Sequence, residues 1–277
     1  MTELVNRKTV AGTGVPGPKR LTIRHLPLRR SFNVLGLLAV AVGLALWQIL
    51  AVQADNFLFP SLSAVVEAFW DSLRDGSLLE ALQITLLKGL VGLLLGVAAA
   101  LVLGRVMATS TVLTASLAPL ISGVFPIPRL AMYPLMVVAL GAGGQAAIAL
   151  VAIEAFFPML YSVQLGASSV TQRYRWLMSN VGASFGQREA LVLRAMTPSV
   201  VAGLRNAVPT VLVVVVVTEL VMGGSGTGFL VRDAGSQFEP ARALAVVVAL
   251  GIVGVMLNVL VKKLFERTQP WSLSLQS

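Results

Sequence analysis

Cysteine is absent, histidine occurs once, and acids are scarce, with 12 Asp and Glu against 21 Lys and Arg in 277 residues. No disulfide and no thiol chemistry is therefore open to the chain. His25 stands alone in a basic tail, which excludes a histidine metal cluster and a Ser/His/Asp set. No Gly-x-x-x-x-Gly-Lys-Ser/Thr stretch occurs, so ATP is not bound by that route. The glycine run Gly223-Gly224-Ser225-Gly226-Thr227-Gly228 lacks the lysine and follows an apolar span rather than a strand. Charged residues make up 12% of the chain, whereas soluble domains hold about 25%. No catalytic constellation remains, and the chain is not expected to be an enzyme.

What is abundant is apolar sequence: 56% of residues are hydrophobic and the mean hydropathy is +0.85. A run of about 20 apolar residues crosses a bilayer as a helix. Six such stretches are read: 32–52, 79–107, 112–140, 145–163, 200–222 and 241–265. The runs are continuous rather than alternating, which excludes a β-barrel. The fold class is all-α, a polytopic membrane protein. The first run is too long for the apolar core of a cleavable signal. Four prolines (Pro119, Pro126, Pro128 and Pro134) break the third span. Gly92 and Gly96 in the second allow close helix contact. Between spans 1 and 2, Val65, Val66, Phe69, Trp70 and Leu73 recur at helical spacing opposite Glu67, Asp71 and Asp75. That pattern predicts an amphipathic helix, with Ser63 as its cap. A short re-entrant or interfacial segment follows the glycine run.

Three domains follow: a basic tail over 1–30, disordered at first and then anchored at the membrane surface, a transmembrane body over 31–267, and a C-terminal tail over 268–277. With both termini assigned to the cytoplasm, that side holds fifteen Lys and Arg and the other side three, Arg74, Arg232 and Arg242. This is the positive-inside pattern. It accounts for the net charge of +9 without a nucleic-acid partner.

Residues 164–198 form the longest polar stretch and fall on the cytoplasmic side. Ser184 and Gln187 have capping-box spacing, and Gly182 is placed to end the preceding helix. The segment thus reads as helix, tight turn, helix. Trp176, Leu177 and Phe185 beside Arg173, Arg175 and Arg188 combine the side chains that anchor protein interfaces. The alternative is a plain hairpin that stabilises the bundle. Within the spans, Glu154 and Glu219 are intramembrane acids, which are functional candidates or bundle hydrogen-bonders. Arg129, after Pro126-Ile127-Pro128, either faces a wet cavity and meets an anion or snorkels to an interface. Lys88 and Arg205 read as interfacial or paired.

Several stretches in order resemble the permease subunit of a bacterial binding-protein-dependent ABC importer of the nitrate/sulfonate/taurine group. They are Phe59-Pro60-Ser61, Pro126-Ile127-Pro128 with Leu130-Ala131 and Pro134-Leu135, Phe156-Phe157-Pro158, Gly182-Ala183-Ser184, Pro198 with Gly203-Leu204-Arg205, and Glu219 with Gly224-Ser225-Gly226-Thr227-Gly228-Phe229-Leu230. The resemblance implies the type I importer permease fold, with about six spans and cytoplasmic coupling helices between spans 4 and 5. It further implies a second permease subunit, as homo- or heterodimer, ATPase subunits that bind ATP and Mg, an extracytoplasmic substrate-binding protein, and no cofactor on this chain. The coupling residues would be Arg175, Trp176, Leu177, Met178, Gly182, Ala183, Ser184, Phe185, Gln187 and Arg188. Pro128, Arg129, Tyr133, Glu154 and Glu219 would line the translocation path.

Three departures stand out. Trp176-Leu177-Met178 replaces the family's Glu-Ala-Ala, Arg194 stands where its first proline near the segment's end would be, and Ala139-Leu140-Gly141 replaces its Trp-Phe-Gly. The resemblance implies import of a small solute, such as a nitrate-, sulfonate- or taurine-like anion, across the bacterial cytoplasmic membrane. A secondary transporter or channel needing no ATPase, and a non-transporting scaffold, are the alternatives.

Overall fold

The computed structural model describes residues 31–54, 56–124 and 126–268. The expected tail over 1–30, with His25, and the C-terminal tail from 269 onward lie outside them. Among the described residues every regular element is helical: α1 (Ser31–Ala54), α2 (Leu62–Arg74), α3 (Ser77–Thr109), α4 (Thr111–Val124), a 3-10 turn (Arg129–Met132), α5 (Tyr133–Leu140), α6 (Gly144–Asn180), α7 (Phe185–Met222), α8 (Thr227–Ser236) and α9 (Pro240–Thr268). Two compact units divide the chain, Met1–Leu46 and Trp47–Ser277. The described part of the first is the N-terminal portion of α1.

Five helices, α1, α3, α6, α7 and α9, are long and apolar enough to cross a membrane. The pair α4 and Arg129–Leu140, bent by 79° at the expected proline break, makes a sixth span if counted as one.

The second unit is held by close helix contact. A Cβ on Gly92 would collide with the Val151 side chain of α6, and one on Gly96 with the Ala152 carbonyl and Ala155. The small-residue face of α3 therefore seats α6. Its partner could not be named from spacing alone. One core cluster joins Tyr133 to Leu150 and Val151 of α6 and to Val211 and Val215 of α7. Another joins Ala100 and Met107 of α3 to Met159, Val163 and Met196. A third packs Leu78 against Val246 and Ala249 of α9.

The amphipathic helix α2 forms as expected, but Ser61 caps it rather than Ser63. Ser61 has the extended backbone a cap requires, and its hydroxyl accepts the Ala64 N–H at 3.3 Å. Ser63 already lies inside the first turn. At the start of α3, the Ser77 side chain and amide hydrogen-bond to Asp75 and hold its carboxyl below the usual carboxylate range.

Candidate functional site

Glu219, near the end of α7, is 1% exposed. Its Oε1 accepts from Lys88 Nζ of α3 at 2.9 Å. Its Oε2 accepts from the Thr85 hydroxyl at 2.8 Å and from the Gly228 N–H at 3.1 Å. Thr85 accepts in turn from the Thr227 N–H at 2.8 Å, and Lys88 donates to the Ser225 carbonyl at 3.0 Å. The first turn of α8 thus gives the buried carboxylate the Gly228 N–H directly and holds Thr85 through the Thr227 N–H, at the end of a helix that favours an anion. The glycine run is the seat of Glu219. A Cβ on Gly226 would fall on its carboxylate, and one on Gly228 on the Val216 carbonyl. Arg232 finishes the joint by donating to the carbonyls of Val221 and Gly223 at the end of α7.

Arg129, at the start of the 3-10 turn, pairs side-on with Glu154 of α6, Nε to Oε1 at 3.0 Å and Nη2 to Oε2 at 2.9 Å. Its guanidinium also lies 4.9 Å from the Phe157 ring centre. The pair borders a cavity of about 620 Å³, with Phe157, Tyr161 and Gln164 of α6 and Asn206 and Thr210 of α7 among its walls. Of the five residues expected on the path, Arg129 and Glu154 reach this cavity. Tyr133 and Glu219 do not line it. Tyr133 is 4% exposed in the apolar core between α5, α6 and α7, and the carboxylate of Glu219 is fully occupied. Pro128 is exposed at the cap of the 3-10 turn, outside the cavity walls.

The polar stretch after span 4 does not begin a new helix. α6 runs unbroken to Asn180, and α7 starts at Phe185 and runs on into the membrane span. The expected helix, turn, helix is present, but each short helix is the end of a long one. The Ala183 N–H donates to the Met178 carbonyl at 3.3 Å with Gly182 at φ +66°, a Schellman turn. Ser184 and Gln187 then close the capping box that opens α7. Arg188 Nε donates to the Ala183 carbonyl across the turn at 2.9 Å. Trp176 is 79% and Leu177 64% exposed beside it. The side chains of Arg175 and Phe185 lie outside the described residues. One link was not foreseen: Arg105, at the end of α3, ion-pairs with Glu189 in the second turn of α7. These two residues are 84 positions apart, and no local pattern marks their pairing.

Residues 92–271 match the family model described as "Binding-protein-dependent transport system inner membrane component". The chain belongs to this family. It is a permease subunit of an ABC importer and a multi-pass membrane protein. The permease is similar to the taurine transport system permease protein TauC of Escherichia coli (strain K12), 28% identical over 253 residues, 88% of this chain and 92% of that one. It is similar also to the nitrate import permease protein NrtB of Leptolyngbya laminosa, 26% identical over 243 residues, 84% and 86% of the two chains. The NrtB of Synechocystis sp. is 28% identical over 230 residues, 79% and 83%. The matched region of the permease takes in the C-terminal end of α3, Arg129, Glu154, the α6–α7 turn, and Glu219 with its glycine run, while the Glu219 partners Thr85 and Lys88 precede it.

Proposed function

We infer that the permease imports a small solute of the nitrate, sulfonate and taurine class, working as one of two permease subunits with two ATPase subunits and an external binding protein. ATP and Mg would be bound by the ATPase subunits, and this chain would carry no cofactor. Both termini lie in the cytoplasm, a reading supported by fifteen basic residues on that side against three on the other. The α6–α7 turn docks the ATPase. Trp176, Leu177, Met178, Gly182, Ala183, Ser184, Gln187 and Arg188 form the surface, with Arg175 and Phe185 beside them in sequence.

The observation that carries this reading is the continuity of α6 and α7 through the turn. A displacement applied at a floppy loop is absorbed locally. Applied to a turn closed by a Schellman motif and a capping box, it moves two helices of 37 and 38 residues. The apolar Trp176-Leu177-Met178, where the family carries Glu-Ala-Ala, calls for an ATPase with an apolar recess at that point. Purification in mild detergent tests the docking. An ATPase subunit recovered with the wild-type permease, and lost with Trp176→Asp/Leu177→Asp, supports it. A wild-type permease that brings down no ATPase contradicts it.

A further inference from the structure

Arg205 lies within the membrane span Met196–Met222 of α7, and its side chain is exposed. Among the described residues it has no ion-pair or hydrogen-bond partner. Its depth follows from α9, which crosses in the opposite direction beside α7. A Cβ on Gly254 would lie 3.4 Å from the Leu212 side chain, so those two positions are level. Seven residues from that level stand Arg205 on α7 and Val261 on α9. Lys262 and Lys263 come next, both exposed, and Lys263 ends the α9 span. Arg205 and Lys263 therefore share one depth, where α9 leaves the apolar layer. Lys263, like Arg205, has no ion-pair partner among the described residues. Glu266 and Arg267, one turn further on, cancel in charge.

Beside these cations a groove of about 450 Å³ opens between α3, α7 and α9. Along α7 it extends from Val201 to Val215, about 21 Å of helix, against about 15 Å for the hydrocarbon of one leaflet. Its walls are Leu, Val and Gly, apart from Thr85. The Thr85 hydroxyl is already engaged by Glu219 and by the Thr227 N–H. The walls leave no donor or acceptor for a polar solute, so the groove suits a hydrocarbon chain. Arg205 lies one turn from both Val201 and Val208, and Lys263 one turn from Leu260, all three of which line the groove.

Positive charge at one end of an apolar slot matches an anionic phospholipid, with its phosphate at the cations and a chain along the slot. A second copy of this chain matches less well. Of the acids within its crossing helices, Glu154 and Glu219 are already ion-paired, and Glu80 stands at the far end of α3. The apolar α1 carries no acid. Any of these helices laid in the groove would leave Arg205 uncompensated in the apolar layer.

We propose that the groove between α3, α7 and α9 holds an acyl chain of an anionic phospholipid, whose phosphate is bound by Arg205 and Lys263. The site is independent of the solute the permease carries.

Native mass spectrometry of the full-length permease in mild detergent tests the proposal. The probes are phosphatidylglycerol and phosphatidylcholine with the same acyl chains. The wild type should retain phosphatidylglycerol at least about fivefold more strongly. Arg205→Gln/Lys263→Gln should lower its retention to that of phosphatidylcholine, and Arg205→Lys should keep the preference. Leu257→Trp, which narrows the groove, should weaken both lipids alike. Inorganic phosphate should not displace the lipid, because the chain supplies much of the hold. If the double variant fails to fold, Lys263→Gln alone, at the end of the span, should still lower the preference. Equal retention of the two lipids by the wild type, an unchanged preference in Arg205→Gln/Lys263→Gln or in Lys263→Gln, or undiminished binding in Leu257→Trp overturns the proposal. Lipid expelled when two permease subunits associate would assign the groove to the second copy and overturn it as well.

Discussion

Lys88 of α3 and Glu219 of α7 form an ion pair 2.9 Å long, with the carboxylate sealed by the first turn of α8. The pair fixes three elements to one another at a single buried point. Removing one partner strands the other charge, which typically costs about 3–5 kcal/mol. Glu219→Gln and Lys88→Met should each lower the unfolding midpoint strongly in detergent. The double variant Lys88→Met/Glu219→Gln should recover part of the loss. A double variant as unstable as the sum of the two would show that the residues act separately.

The glycines of the seat differ sharply in what they tolerate. Gly226 has φ +103° and no room for a Cβ, because the Glu219 carboxylate fills the space. Gly226→Ala should lose at least about 1–3 kcal/mol from backbone strain, with the collision added. Gly235, inside α8 with nothing within 4 Å, should accept alanine without loss. Thermal melts of the two variants in the same detergent check the contrast.

The spans were legible because runs of apolar residues have one stable use at this length. The Gly92 and Gly96 face was legible for the same reason: small residues at helical spacing exist to be packed against. The end of span 4 was not. Its sequence turns polar after Val163, yet the helix continues to Asn180. Helices end where the backbone is capped, here at Gly182, and not where they leave the apolar layer. The Ser61 cap was missed because two nearby serines look alike until backbone angles separate them. The partners of Glu219, Glu154 and Arg105 lie 131, 25 and 84 residues away. No local period encodes such distances, so sequence marked the charged residues of the candidate sites without joining them.

The turn between α6 and α7 should fail by fraying rather than by collapse. Gly182→Ala puts a side chain at φ +66° in open space, so strain alone opposes it, about 1–2 kcal/mol. Ser184→Ala removes the cap, about 1 kcal/mol. Hydrogen exchange should quicken over residues 181–190 in both variants while α3 and the rest of α7 keep their protection. If the turn couples transport, solute moved per ATP should fall in step.

The Arg105–Glu189 pair ties the end of α3 to the start of α7 close to that turn. Both side chains are partly exposed, so its contribution to stability is modest, on the order of 1 kcal/mol. Its effect should appear in coupling instead. Arg105→Gln should leave the midpoint nearly unchanged and lower uptake per ATP hydrolysed. The exchange Arg105→Glu/Glu189→Arg should restore it. An exchange variant no better than Arg105→Gln would assign the defect to one residue rather than to the pair.

ATP-driven uptake in proteoliposomes holding the permease and its ATPase tests the central claim most directly. Uptake should require ATP inside the compartment where the α6–α7 turn lies, and should be abolished by Trp176→Asp/Leu177→Asp although the protein remains folded. Uptake driven by a proton or sodium gradient without any ATPase, or undiminished in the turn variant, would contradict the account.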